Sequence, residues 1–342
     1  MMKRYDSLNG LRTIACIGIV LLHIQLNMNI SIDNSITRLI YSNLTQFTFL
    51  FMIISSFGMC CGYYDKIKKQ QISFDSFYSK RIKKIIPFFT FLVIIDIVVE
   101  HNWNAVIEGM CDLTLLFGFI PQKLEVIGVA WYLGLVFVFY IMFPFFVFLF
   151  WNRKRAVAFS VCSLIMNFIA IGYFGLGKTN MFYSLVYFCL GGLIFLYKDT
   201  IQRFVSKNKY IILLLGVLLT VVYFLVPENK FIFTVKTLLV FGIWMCIAVG
   251  TEKNVILNNR FTGFISKVSL EIYLSHMLCF RAIEKINLAK YIGNIHIQYV
   301  VCVVWSFIMS IGLAVVFGWV CKYLNTKIEF LRSKNEEKSS NW

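Results

Sequence analysis

Apolar stretches close to bilayer-spanning length follow one another along almost the whole chain. They lie at about 11–29, 45–64, 85–100, 131–151, 156–174, 181–197, 210–226, 231–250, 266–283 and 298–321. A helix needs about 20 such residues to cross the hydrocarbon core. A chain built this way cannot hide its apolar surface in a water-soluble core. Of its 342 residues 59% are hydrophobic and only 15% charged, where soluble domains carry roughly 25% charged. Inside lipid, only helices and closed barrels satisfy every backbone polar group. The alternating ten-residue strands of a barrel are absent, and Pro, at 4 residues, seldom interrupts the runs. The expectation is an all-α polytopic membrane protein with about ten transmembrane helices. A shorter apolar stretch, 111–120, stops at Pro121 and reads as re-entrant or interfacial.

Basic residues orient the chain, because cytoplasmic loops carry an excess of them. Segment 65–84 holds Lys66, Lys68, Lys69, Lys80, Arg81, Lys83 and Lys84 and is placed inside. Arg153-Lys154-Arg155, the stretches Lys198 to Lys209 and Lys253 to Lys267, and the tail beyond Cys321 join it only if 111–120 does not cross. Both termini are then cytoplasmic, and short outer loops carry Asp33, Glu108, Asp112 and Glu228. This asymmetry accounts for the net charge of +16 without any nucleic-acid partner. The membrane domain is 1–321, followed by a polar, poorly ordered cytoplasmic tail, 322–342. The 10 Cys are scattered singly apart from Cys60-Cys61, which favours reduced structural thiols over a metal centre or disulfide framework. Lys3-Arg4 and the apolar run after them mimic a signal peptide. Arg12 and His23 interrupt that run and no small-residue cleavage site follows, so it reads as an uncleaved anchor. Any chemistry must take place within or beside the helices. The lack of an internal repeat weighs against an inverted-repeat transporter.

Ionisable residues inside the apolar runs are the functional candidates, because burying them in a membrane is costly. Arg12 and His23 are eleven residues apart in the first run. In a helix that spacing leaves them ~20° apart on one face and ~16 Å apart along the axis. Arg12 would sit at the cytoplasmic boundary and His23 near the midplane, with Asp6 and Asn9 within two turns of Arg12 on the cytoplasmic side. His23 either packs helices or serves as a base, a role that suits an imidazole. Lys80, Arg81, Lys83 and Lys84 set topology or bind an anion at a cytoplasmic helix N-terminus. His276 shares a helix face with Ser269 and Tyr273, as a packing stripe or as part of a site. Glu271 points away from His276 and meets Lys267. Asp96 lies deep enough to partner a cation or a substrate hydroxyl, Glu100 lies at the outer boundary, and Asn167 bonds between helices. Trp131 and Trp151 mark the two ends of one helix, as an aromatic belt does.

Five motifs together resemble the acyltransferase-3 family, bacterial membrane proteins that move acyl groups, usually acetyl, onto cell-surface glycans. Asn9-Gly10-Leu11-Arg12-Thr13-Ile14-Ala15 with His23 is similar to the first-helix signature, an Arg and a His with ten residues between them. Phe51-Met52-Ile53-Ile54-Ser55-Ser56-Phe57 resembles the second-helix motif, with Ser56 where family members commonly have Gly. Arg81-Ile82-Lys83-Lys84-Ile85-Ile86-Pro87 resembles the basic motif before the third helix, with Lys84 where Arg is usual. Lys binds phosphate as a point charge rather than a planar fork. Trp131-Tyr132-Leu133 with Tyr140 and Pro144 resembles the Trp-Tyr helix. Ser269-Leu270-Glu271-Ile272-Tyr273-Leu274-Ser275-His276 resembles the Ser-Tyr-Leu-His helix.

The resemblance implies an O-acyltransferase of the bacterial cytoplasmic membrane. It would take acetyl or another acyl group from cytoplasmic acyl-CoA, with no permanently bound cofactor, to a hydroxyl of a glycan or glycolipid. His23 and Arg12 would be catalytic, with His23 the base or, alternatively, a transient acyl carrier. Arg81, Lys84, Lys80 and Lys83 would hold the phosphates of coenzyme A. Trp131, Tyr132, Asp96, Tyr273 and His276 would meet the acceptor. The rival reading is a non-enzymatic flippase or permease for lipid-linked sugars, which needs a through-going polar path and no Arg–His pair.

Overall fold

A computed structural model describes residues 5–28, 34–119, 127–227, 229–251 and 254–340. Lys3, Arg4, Asp33, Pro121, Glu228 and Lys253 lie outside the described residues. The described residues fold mainly as helices and contain no strand. In order come α1 (Leu8–Asn27), α2 (Ser35–Leu44), α3 (Phe47–Met59) and, after one π-helical turn, α4 (Asp65–Lys68). Then follow α5 (Phe74–Glu100), α6 (Trp103–Leu113), α7 (Trp131–Leu149), α8 (Arg153–Gly172) and α9 (Met181–Leu196). The last six are α10 (Lys198–Lys207), α11 (Lys209–Leu225), α12 (Lys230–Gly250), α13 (Arg260–Lys267), α14 (Ser269–Glu284) and α15 (Ile295–Ser340).

Asparagine starts many of these helices. Asn34, Asn102, Asn152, Asn180, Asn229 and Asn259 each accept a backbone N–H of the first turn. A short side-chain oxygen is suited to satisfying donors that the helix itself leaves unpaired. Ser73 does the same for α5.

Each of the ten apolar stretches lies largely within a helix, but fewer meet the demands of a span on their own. Six helices are long and apolar enough to cross a membrane, or seven if α9 and α10, bent by 73°, form one broken span. α11 and α14 are short, at 17 and 16 residues, and α5 carries the basic cluster together with Asp96 and Glu100. Stretch 111–120 becomes the end of α6 and a 3-10 turn, Leu116–Phe119. At about 1.5 Å per residue, the 11 residues of α6 cannot cross a ~30 Å core. α15 continues helical past Cys321 to Ser340. No Gly or Pro follows Gly318 to stop it.

α1 is the axis of the bundle, packed by α3, α12, α13, α14 and α15. Alternate approaches of α3 and α9 depend on a missing side chain. A Cβ on Gly191 would lie 2.3 Å from the Ile53 carbonyl oxygen, so only glycine fits at that crossing. Beside it, Ser56 Oγ donates to the Phe188 carbonyl at 2.6 Å. The Ser that departs from the family motif thus ties α3 to α9. Further out, Lys236 of α12 is buried. Its ammonium donates to Asn43 Oδ1 at 2.6 Å and to the carbonyls of Val226 at 2.9 Å and Tyr223 at 3.3 Å. The last two belong to the C-terminal end of α11, where a positive charge is favoured.

Candidate active site

The N-terminal ends of α1 and α14 meet the first turns of α5 around a cavity of about 260 Å³. Arg12 enters from α1, Arg81 and Lys84 from α5, and Glu271 from α14. Arg81 and Lys84 share a face because they are three residues apart. Arg81 is held from the side: its guanidinium lies 4.7 Å from the Tyr63 ring centre and 5.7 Å from that of Tyr140. Tyr140 is fixed in turn by a 3.0 Å hydrogen bond between its hydroxyl and Ser55 Oγ.

Among the described residues no salt bridge ties Arg12, Arg81 or Lys84 to a carboxylate. The buried Arg81 Nε and Glu271 Oε2 have no hydrogen-bond partner among the described residues. Three cations with Lys267 beside them face one carboxylate. Unpaired cations gathered on one wall hold a field that is relieved by an anion. α14 adds to it, because its N-cap residue, Val268, makes no side-chain cap, which leaves first-turn N–H groups available. The helix end at the cavity is therefore that of α14. The N-terminus of α5, expected to supply it, lies two turns before Arg81.

The cavity ends on aromatic rings. Tyr132 and Tyr273 meet edge-on at 5.6 Å, and Phe51 lies 6.4 and 6.5 Å from them. The Tyr273 hydroxyl is anchored on the Val129 carbonyl. Beyond this floor, the Tyr273 ring lies 6.1 Å from His276. His276 is wholly buried, and its Nε2 is 2.9 Å from Nδ1 of His23. Its own Nδ1 is 3.1 Å from the Ile272 carbonyl oxygen. His23 is not on the cavity wall.

Thus the expected residues divide into groups. Arg12, Arg81, Lys84, Tyr132 and Tyr273 line the cavity. His23 and His276 form a pair behind its floor. Lys80 and Lys83 are off the cavity, since each stands one residue before a lining residue and so is turned about 100° to another face of α5. Trp131 is buried against Tyr132 at 6.1 Å, with the Lys178 ammonium 5.3 Å from its ring. Asp96 stands at the other end of α5. There its Oδ1 accepts from Arg281 at 3.1 Å, and Arg281 also reaches Glu100 at 3.7 Å. Asp96, Arg281 and Met277 line a separate narrow cleft.

Sequence reasoning missed four contributors. Glu271 was assigned to Lys267 and instead lines the cavity wall. Ser55 and Tyr63 were not singled out as ligand-positioning groups. Arg281 had a readable signal, since Asp96 and Glu100, four residues apart, present two carboxylates on one helix face that call for a cation.

The fold and the site thus define a helical membrane protein with a cationic cavity and a buried pair of histidines. A family model described as an acyltransferase domain matches residues 5–319. The chain belongs to the acyltransferase-3 family, and it is a membrane acyltransferase in that sense. No curated protein matches, and no solved structure matches.

Proposed function

We propose that the protein transfers an acetyl group from cytoplasmic acetyl-CoA to a hydroxyl of a cell-surface or lipid-linked glycan. The observation that carries the reading is the cavity of unpaired cations, Arg12, Arg81 and Lys84, with the His23–His276 pair beyond its aromatic floor. Coenzyme A matches it in chemistry. Its phosphates meet the cations, and its extended pantetheine arm covers a gap of the order of the ~16 Å between Arg12 and His23. Basic loops on the same end of the bundle support a cytoplasmic opening.

In the reaction, His23 takes the proton of the acceptor hydroxyl as its oxygen attacks the thioester carbonyl carbon. The new C–O bond forms and the C–S bond breaks. The departing thiolate receives the proton that His23 had taken, which leaves an acetyl ester, free coenzyme A and neutral His23. The acceptor approaches from the side of the histidine pair, opposite the donor. The floor of Phe51, Tyr132 and Tyr273 favours this reading over a flippase, which requires a continuous polar path.

The test is transfer of labelled acetyl from acetyl-CoA to endogenous acceptor in membranes holding the protein. His23→Ala should lower the rate by about 10²–10⁴-fold, the usual contribution of a general base, with insertion and expression kept. His23→Gln should be as inactive as Ala, because an amide takes no proton near neutral pH. Near-normal transfer by either variant would remove His23 from the chemistry.

A further inference from the structure

We propose that His276 is a positioning residue that holds His23 in the tautomer protonated on Nδ1, so that Nε2 of His23 is the basic nitrogen. The inference rests on the reading of His23 as the base.

The chain of hydrogen bonds has one consistent direction. The Ile272 carbonyl can only accept, so the His276 nitrogen 3.1 Å from it, Nδ1, carries the hydrogen. A neutral imidazole has one N–H, which leaves His276 Nε2 as a lone pair. Across the 2.9 Å contact, His23 Nδ1 must therefore be the donor. Its remaining nitrogen, Nε2, then carries the second lone pair. The reverse arrangement needs His276 doubly protonated, a cation wholly buried with no carboxylate bonded to it. That costs far more than a neutral ring.

Ring geometry supports a true hydrogen bond here. The two planes are within 6° of parallel, with centroids 5.1 Å apart. With nitrogens 2.9 Å apart, a centroid separation of that size matches rings lying edge to edge in one plane. The lone pair of His276 Nε2 lies in that plane and points at the His23 N–H. Face-to-face stacking would bring the centroids closer than this and leave no such alignment.

The two histidines also differ in access. His276 is wholly buried, whereas His23 is only partly so, and its Nε2 has no hydrogen-bond partner among the described residues. The free nitrogen is therefore the one that a hydroxyl can reach. When it takes a proton, His23 becomes an imidazolium and its Nδ1–H bond to His276 becomes charge-assisted. His276 thus stabilises the transition state without taking the proton itself. A carboxylate performs that service in serine hydrolase triads. Here a buried neutral ring does so, its own orientation fixed by one turn of α14.

The experiment compares His276→Gln, His276→Phe and His276→Leu in full-length protein in native membranes, with labelled acetyl-CoA as the probe. Gln keeps an acceptor oxygen near the place of Nε2 and discards the ring. Phe keeps the ring and discards the acceptor, and Leu repeats that loss in a smaller side chain should Phe fail to insert. Gln should retain activity within ~10-fold of wild type. Phe and Leu should lose ~100-fold or more in kcat, with the KM for acetyl-CoA unchanged. If Phe or Leu equals or exceeds Gln, or if all three match wild type, the positioning role is overturned and His276 only fills space. His23→Ala run alongside separates the two ideas. An active His23→Ala variant ends the base reading, whereas an inactive one with Gln no better than Phe ends only this inference.

Discussion

At the scale of single residues, the cavity shows how a membrane protein keeps cations ready for an anion. Arg81 is placed by aromatic rings on its flank rather than by a carboxylate, so its hydrogen-bond donors stay uncommitted. Arg81→Ala should raise the KM for acetyl-CoA by the equivalent of about 1–3 kcal/mol, the worth of a charge-assisted contact. Lys84→Arg should leave KM unchanged or lower it, since a guanidinium adds a second donor to the same charge. Saturation curves in membranes of matched protein content measure both. Arg12 and His23 were legible in the sequence because an ionisable residue in an apolar run stands out. Glu271 was not. A helical wheel gives its angle around α14 but not which other helices stand opposite. Only tertiary packing brings the start of α14 against Arg12 and Lys84.

At the scale of elements, α5 separates two roles that its sequence runs together. A basic cluster reads as one feature, yet a turn of 100° per residue distributes it over several faces. Arg81 and Lys84 reach the cavity, while Lys80 and Lys83 do not. The double change Lys80→Gln with Lys83→Gln should therefore leave the donor KM within about two-fold of wild type at physiological salt, where the Debye length is ~8 Å. A different economy holds where α2, α11 and α12 join. Lys236 binds three oxygens from α2 and α11. Lys236→Met should lower thermal stability in detergent by about 0.5–2 kcal/mol, as expected for interhelical bonds in membrane proteins. The apolar periodicity made the helices themselves legible. Their ends were less so, because caps such as Asn102 and Ser73 depend on single side chains, and α6 accordingly begins well before the apolar run that hinted at it.

At the scale of the whole molecule, the chain's asymmetry of charge predicts how it sits. Ten crossings with both termini inside remain the expected topology, with α5, α11 and α14 added to the seven spans counted when α9 and α10 form one. On a background lacking the native cysteines, a Cys placed at Arg153 or Ser339 should react with impermeant reagents only from the cytoplasmic face. Labelling of either from the opposite face would reject that arrangement. The floor of Phe51, Tyr132 and Tyr273 has an electrical consequence within the proposed reaction. Where that floor excludes ions, part of the transmembrane potential falls across the few ångströms that the acetyl group passes. Moving one charge through the full potential would change the energy by ~2.3 kcal/mol per 100 mV. The acetyl group leaves the sulfur as an acylium equivalent, so its transfer is electrically silent as long as the acceptor's proton moves the opposite way, to the sulfur. Transfer in sealed vesicles should then proceed at the same rate with the potential imposed in either direction or collapsed. A rate that follows the potential would mean that the proton leaves on the acceptor's side, so a voltmeter reports on the path of a proton that no stopped assay sees.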